Sequence, residues 1–229
     1  MTAANTTVAV MQPYFYPYAG YFRLFAVADV FVIYDDVQFT RRGRVHRCEV
    51  PRADGRVEWL TLPMRHQPRE TLICEVAFAH QVRDRFDLRL DRCGWLKTGA
   101  GPLADALRSH LYGPKDDFVE FLEAGLRFVA NALGLPVRFR RASEFCVPRC
   151  LRGQERVLAL VEAAGGSVYI NAPGGNRLYD PLRFASHYGK FHSMLPALAC
   201  EEPQVIRDDV LQTARRETAD ASKSATKAV

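Results

Sequence analysis

The stretch that decides the fold is Val8-Ala9-Val10-Met11-Gln12-Pro13-Tyr14-Phe15-Tyr16-Pro17-Tyr18-Ala19-Gly20-Tyr21-Phe22, followed by Val30-Phe31-Val32-Ile33-Tyr34-Asp35-Asp36-Val37-Gln38. Residues 8–12 read as a short apolar strand. Pro13 and Pro17 exclude helix from the aromatic loop at 14–18. Residues 20–27 then read as a helix and 30–34 as a second strand, ending on two carboxylates and an amide. A strand, a helix and a strand in this order predict a parallel pair in an α/β sheet. Ligands of open α/β sheets bind just beyond the carboxyl ends of the strands. Gln12, Asp35, Asp36 and Gln38 are therefore expected to line one pocket. The alternative is a loop with an internally satisfied polar cluster.

Working outward, residues 39–64 turn β-rich. Arg44 to Val50 alternates, Asp54-Gly55 signals a hairpin turn, and 57–62 returns. Residues 72–78 read as a further strand. Helices are expected at 83–90, 101–112, 116–133 and 154–164. The helix at 116–133 is the clearest, with Phe118, Phe121, Leu122, Leu126, Val129 and Leu133 on one face and Gly134 and Pro136 as its stop. Short strands follow at 137–140 and 167–171, with a last helix at 180–186. The expected architecture is α/β. A mainly parallel, Rossmann-like sheet is flanked by helices, with a β-hairpin insertion at about 39–80. Residues 1–206 form one domain in this reading. Residues 207–229 form a polar tail, either a solvated helix or disordered.

The chain has 229 residues, 48% apolar and 25% charged, as in ordinary globular proteins. A net charge of +5 and a pI near 9.0 favour an anionic partner without the dense cationic run of a nucleic-acid arm. No leader sequence and no uninterrupted apolar span of membrane length is seen, so a cytoplasmic protein with no membrane partner is expected. The six cysteines are scattered. They read as small, reduced, buried apolar residues, with neither metal site nor cofactor.

Further candidates come later in the chain. Asn171 ends a strand, and Pro173-Gly174-Gly175 follows it. Gly174 and Gly175 either present backbone N–H groups to an anion or form a plain turn. Arg47 either reaches the carboxylates or an anionic substrate, or belongs to a solvated edge face with Arg41, Arg42 and Arg44. His187 is a candidate general base, as is His192, against the commoner surface role.

Together Met11 to Phe22, Tyr34-Asp35-Asp36-Val37-Gln38-Phe39, Leu60 to Pro63, Ala142-Ser143-Glu144, Glu155-Arg156-Val157-Leu158 and Tyr169 to Gly175 resemble the WbqC-like family. The resemblance covers about residues 8–185. That family occurs in O-antigen and other bacterial glycan or secondary-product gene clusters. The resemblance implies transfer of glycine, or a related aminoacyl group, to the amine of a small acceptor such as an amino sugar. The donor is then an aminoacyl-tRNA, which a basic surface suits, or a thioester. Asp35, Asp36 and His187 are the catalytic candidates. Gln12, Tyr14, Tyr18, Gln38, Arg47, Asn171, Gly174 and Gly175 are the substrate-binding ones. Where the family keeps an Asn-Arg-like pair, this chain has His46-Arg47. The start of the chain is also similar to nucleotidyltransferases and class I synthetases, whose His-x-Gly-His motif stands here as Tyr18-Ala19-Gly20-Tyr21. An ATP-dependent ligase and a non-catalytic binding protein are the alternatives. Loss of either carboxylate charge is expected to stop catalysis with little loss of stability.

Overall fold

The computed structural model describes residues 6–52, 54–171, 198, 203–208 and 210–212. Four strands, β1 (Thr7–Met11), β2 (Val30–Ile33), β5 (Arg138–Arg141) and β6 (Val168–Ile170), form one parallel sheet in the order β5-β2-β1-β6. Two further strands among the described residues, β3 (Arg47–Pro51) and β4 (Val57–Thr61), pair antiparallel as a separate hairpin. The fold is thus α/β, as the sequence predicts. The register is in step: Ala9 stands beside Phe31, and Phe31 beside Phe139.

The central strands are nearly continuous apolar runs because both faces of the sheet are covered. Ala9, Phe31, Ile33 and Phe139 join the main core with helices α1 (Ala19–Val27) and α5 (Phe118–Ala132). Val8, Val10, Val30 and Val32 pack on the opposite face against Leu160 and Val161 of α6 (Gly153–Ala163). The main core is aromatic. Phe25 meets Phe31 at 4.7 Å and Phe139 at 5.1 Å, in the edge-to-face geometry that ring quadrupoles favour.

The connection from β2 to β5 carries the hairpin, then α2 (Val82–Leu90), α3 (Gly94–Thr98), α4 (Pro102–Tyr112) and α5. The N-cap of α5 is Asp117, whose carboxylate accepts the Glu120 N–H at 2.7 Å. Asp116 and Asp117 therefore lie before the helix rather than within it. Among the described residues, no helix is long and apolar enough to cross a membrane.

Several expectations are corrected. Residues 72–78 do not form a strand. Ile73–Glu75 is a 3-10 turn, and only single bridges at Gln38–Leu72 and Met64–Phe78 flank it. The backbone there bonds elsewhere: Ile73 N–H to Val37 O at 2.9 Å and Cys74 N–H to Asp35 O at 2.8 Å. The short helix α3 carries too few turns to show a periodicity. Cys48 and Cys93 are buried, but Cys146 and Cys150 are exposed, so the reading of all cysteines as core residues fails for these two. Residues 203–208 and 210–212 are helical, and Ile206 and Val210 are buried in the main core. The helix predicted at 180–186 lies outside the described residues.

Candidate functional site

β2 delivers Asp35 and Asp36 to the carboxyl edge of the sheet, just beyond its last residue, Ile33. Side chains alternate between faces along a strand. Continuing that alternation, Asp36 emerges with Val30 and Val32 on the α6 face. It pairs there with Arg156, and both side chains are nearly buried, 9% and 6% exposed. Arg156 also donates to Pro148 O at 2.9 Å. Asp36 Oδ1 is buried and has no hydrogen-bond partner among the described residues.

Asp35 is held differently. It is 1% exposed and accepts two hydrogen bonds from Ser143, from the backbone N–H at 2.9 Å and from Oγ at 2.6 Å. Burial raises its pKa above the usual carboxylate value. The Ser143 bonds oppose that shift and the Asp36 charge adds to it. Ser143 sits in the 3-10 turn that follows β5, so Asp35 staples the ends of β2 and β5 together. Tyr34 completes the cluster. Burial raises its pKa, while the Arg156 guanidinium lowers it. The Cys74 thiol is raised by burial and then by the charge of Asp35, which places it beside the same pair.

The other candidates are spread more widely. Gln12 stands one residue past β1, half-buried, and its carbonyl accepts the Tyr21 hydroxyl at 2.7 Å. Asn171 stands one residue past β6 and is exposed. Gln38 turns outward, and its side-chain amide donates to Arg69 O at 2.7 Å. Tyr14 packs on Tyr21 with ring centroids 5.4 Å apart, and Tyr18 is the N-cap residue of α1. Arg47 lies over the exposed Trp59 ring at 4.1 Å and donates to the carbonyls of Arg42 and Gly43. Its contacts are thus with the hairpin, not with the carboxylates. His187, His192, Gly174 and Gly175 lie outside the described residues.

Ser143 and Arg156, the partners of the two candidate carboxylates, are residues to which sequence reasoning assigns no role. Both fall in short motifs that carry the family resemblance, Ala142-Ser143-Glu144 and Glu155-Arg156-Val157-Leu158. Their partners are 108 and 120 residues away in the chain, a separation at which no spacing rule operates.

The strand order gives the candidate residues their positions along the sheet edge. Across the sheet, the parallel strands lie third, second, first and fourth in chain order. The order reverses between β1 and β6, the position at which doubly wound sheets open a crevice. Gln12 and Asn171 mark its two sides, with the Asp35–Ser143 and Asp36–Arg156 pairs one strand further along.

An uncharacterized protein of Mycobacterium tuberculosis, Rv1507c, is 42% identical over 72 residues, a stretch amounting to 29% of this chain and 31% of that protein. No solved structure matches the chain. The model of the WbqC-like protein family matches residues 12–199, from the Gln12 loop through both acid pairs and beyond β6. The chain belongs to the WbqC-like protein family.

Proposed function

We propose that this protein transfers an acyl group, an aminoacyl group such as glycyl above all, to the amine of a small acceptor of the amino-sugar kind. The observation that carries this reading is Asp36 Oδ1, a buried carboxylate oxygen with no partner among the described residues, at a strand end beside the sheet's switch point. An acceptor ammonium supplies the missing donor. Asp36 then takes its proton, and the free amine attacks the ester or thioester carbonyl of the donor. The amide C–N bond forms and the C–O or C–S bond breaks; of the two protons the ammonium loses, one passes to the leaving alkoxide or thiolate and the other goes to solvent. Asp35 and Ser143 fix the end of β2 so that Asp36 is positioned. Gln12 and Asn171 orient the acceptor across the crevice.

The test is a transfer assay with glycyl-tRNA and a glycyl thioester as donors and a panel of amino sugars as acceptors, read by mass. Loss of a positioned general base lowers turnover by about 10²–10⁴-fold. Asp36→Asn is therefore expected to fall into that range. It also leaves the buried Arg156 charge unpaired, which costs about 3–5 kcal/mol, so the simple expectation of unchanged stability is replaced. Asp36→Asn/Arg156→Leu removes both charges and is expected to restore the melting temperature but not turnover. Recovery of turnover together with stability would show the pair to be structural only.

The strand order favours a second reading, a ligase that makes its own acyl-adenylate in the same crevice. ATP–pyrophosphate exchange dependent on an amino acid, without any preformed donor, selects it over the first.

A further inference from the structure

The end of the hairpin, the segment that follows it and α2 line an open cavity of about 340 Å³ that contains none of Asp35, Asp36, Ser143 or Arg156. Four guanidinium groups, those of Arg41, Arg65, Arg85 and Arg89, line it together with His46 and His66. No carboxylate is among its lining residues. None of the four arginines forms an ion pair among the described residues. Arg41 donates to Gln67 O, and Arg89 donates to Thr61 O. Those bonds fix two of the cations in place but leave their charge uncompensated. Arg65 and Arg85 are exposed, and their side chains have no hydrogen-bond partner among the described residues. Burial first, and then the like charges of Arg85 and Arg92, lower the pKa of Arg89.

His46 is an independent observation. It is 8% exposed and lines the cavity, and its Nδ1 is buried with no hydrogen-bond partner among the described residues. Burial first, and Arg47 second, lower its pKa to about 4, so the ring is neutral at pH 7. A neutral imidazole offers one donor and one acceptor to a ligand. Phe39, Pro63 and Met64 supply an apolar wall. A concave site with an apolar wall, a few convergent polar groups and this volume is of the size that small ligands occupy.

We infer that this cavity binds the phosphate or diphosphate group of a small molecule, with Arg65 and Arg85 closing on the anion and His46 meeting it from the buried side. Guanidinium forks match phosphate oxygens in geometry and charge. Four cations around one open cavity with no carboxylate among its lining residues attract an anion. The inference stands apart from the proposed transfer and needs neither donor nor acceptor.

Calorimetric titration at fixed ionic strength tests it, with inorganic pyrophosphate, ribose 5-phosphate and uncharged ribose as probes. Saturable binding of at least one phosphate and none of ribose is expected. Tighter binding of ribose 5-phosphate assigns the site to a phosphate ester, and tighter binding of pyrophosphate to a free diphosphate. Arg65→Gln and Arg85→Gln should each weaken binding by about tenfold or more, since a hydrogen bond to a charged group is lost. Their melting temperatures should match the parent, because neither side chain holds a partner among the described residues. No saturable binding of either phosphate up to millimolar concentration overturns the inference. Equal affinity in the parent and both variants, or equal binding of ribose and its phosphate, overturns it as well. All titrations are repeated on Asp36→Asn/Arg156→Leu, where unchanged affinity is expected and a loss would tie the anion to the other site and overturn the assignment.

Discussion

His46 and His110 are two imidazoles that the fold keeps neutral. Burial lowers each from 6.5 to about 4, with Arg47 adding to the effect on His46 and Lys115 to that on His110. Their ring contacts are aromatic. His46 meets Phe39 at 5.1 Å, and His110 stacks on Phe121 at 4.6 Å beside Tyr16. A folded pKa below the unfolded one contributes stability above the unfolded value, and that stability is lost as pH falls through the folded value. The two histidines are therefore expected to lower the melting temperature between pH 6.5 and about 4. Asp35 acts with the opposite sign. Its raised pKa contributes stability below the ordinary value of 3.8, which is lost as pH rises through the folded value. Melting curves of the parent and of His46→Gln/His110→Phe across this range separate the effects. A shallower acid limb in the double variant is expected, and parallel limbs would assign the loss to carboxylates instead. At this scale the sequence is a partial guide. Asp35 and Asp36 stand out as candidates from their place after an apolar strand. Nothing local to them announces that one is sealed by Ser143 and the other by Arg156, because both partners arrive through tertiary folding.

Elements are easier to read than partners, and the exceptions share a cause. The helix at 118–132 carries an apolar periodicity and the central strands β1 and β2 are apolar runs, and both patterns are set by burial under the sheet's two covers. Residues 72–78 have the apolar content of a strand but spend their backbone hydrogen bonds on the segment after β2. Composition does not reveal that competition. Close packing between elements yields a sharper prediction at Gly166, which precedes β6. A Cβ there would lie 2.4 Å from Val8 Cγ2 and 2.9 Å from Val161 Cγ1. The glycine lets the chain pass between β1 and α6 as it enters the sheet edge. Overpacking of this kind costs about 1–3 kcal/mol, so Gly166→Ala should destabilise by that amount in chemical denaturation. Gly165 is the control. It has φ +74°, and a Cβ added there would meet nothing within 4 Å. Asn tolerates the left-handed region better than most residues, so Gly165→Asn should cost less than Gly166→Ala. A Gly166→Ala protein as stable as the parent would mean that β6 docks with more slack than these distances imply.

The whole molecule is organised around a sheet with unequal covers. One face carries α6 and a small valine-rich cluster, and the other carries the large aromatic core. That core also takes in Leu198, Ile206 and Val210, with Leu211 packed against it. The polar composition after residue 207 conceals this. Yet Ile206 and Val210 are four residues apart, the spacing that puts two side chains on one helix face. The signal is present in the sequence but is outweighed by the surrounding Ala, Thr, Lys and Glu. The helical residues 203–208 and 210–212 are therefore predicted to contribute to stability rather than to trail in solvent. Replacing a buried isoleucine by alanine costs about 2–5 kcal/mol through lost transfer energy and the cavity left behind. Ile206→Ala should fall in this range. Val205→Ala, at a position 62% exposed on the same segment, should be close to neutral. Urea denaturation of the two variants distinguishes a packed helix from a solvated one. If both unfold with the parent, the segment adds nothing to the core. If Ile206→Ala alone is destabilised, the aromatic core extends from the first forty residues to this last helical segment, and the edge carrying Asp35 and Asp36 is braced from both ends of the described chain.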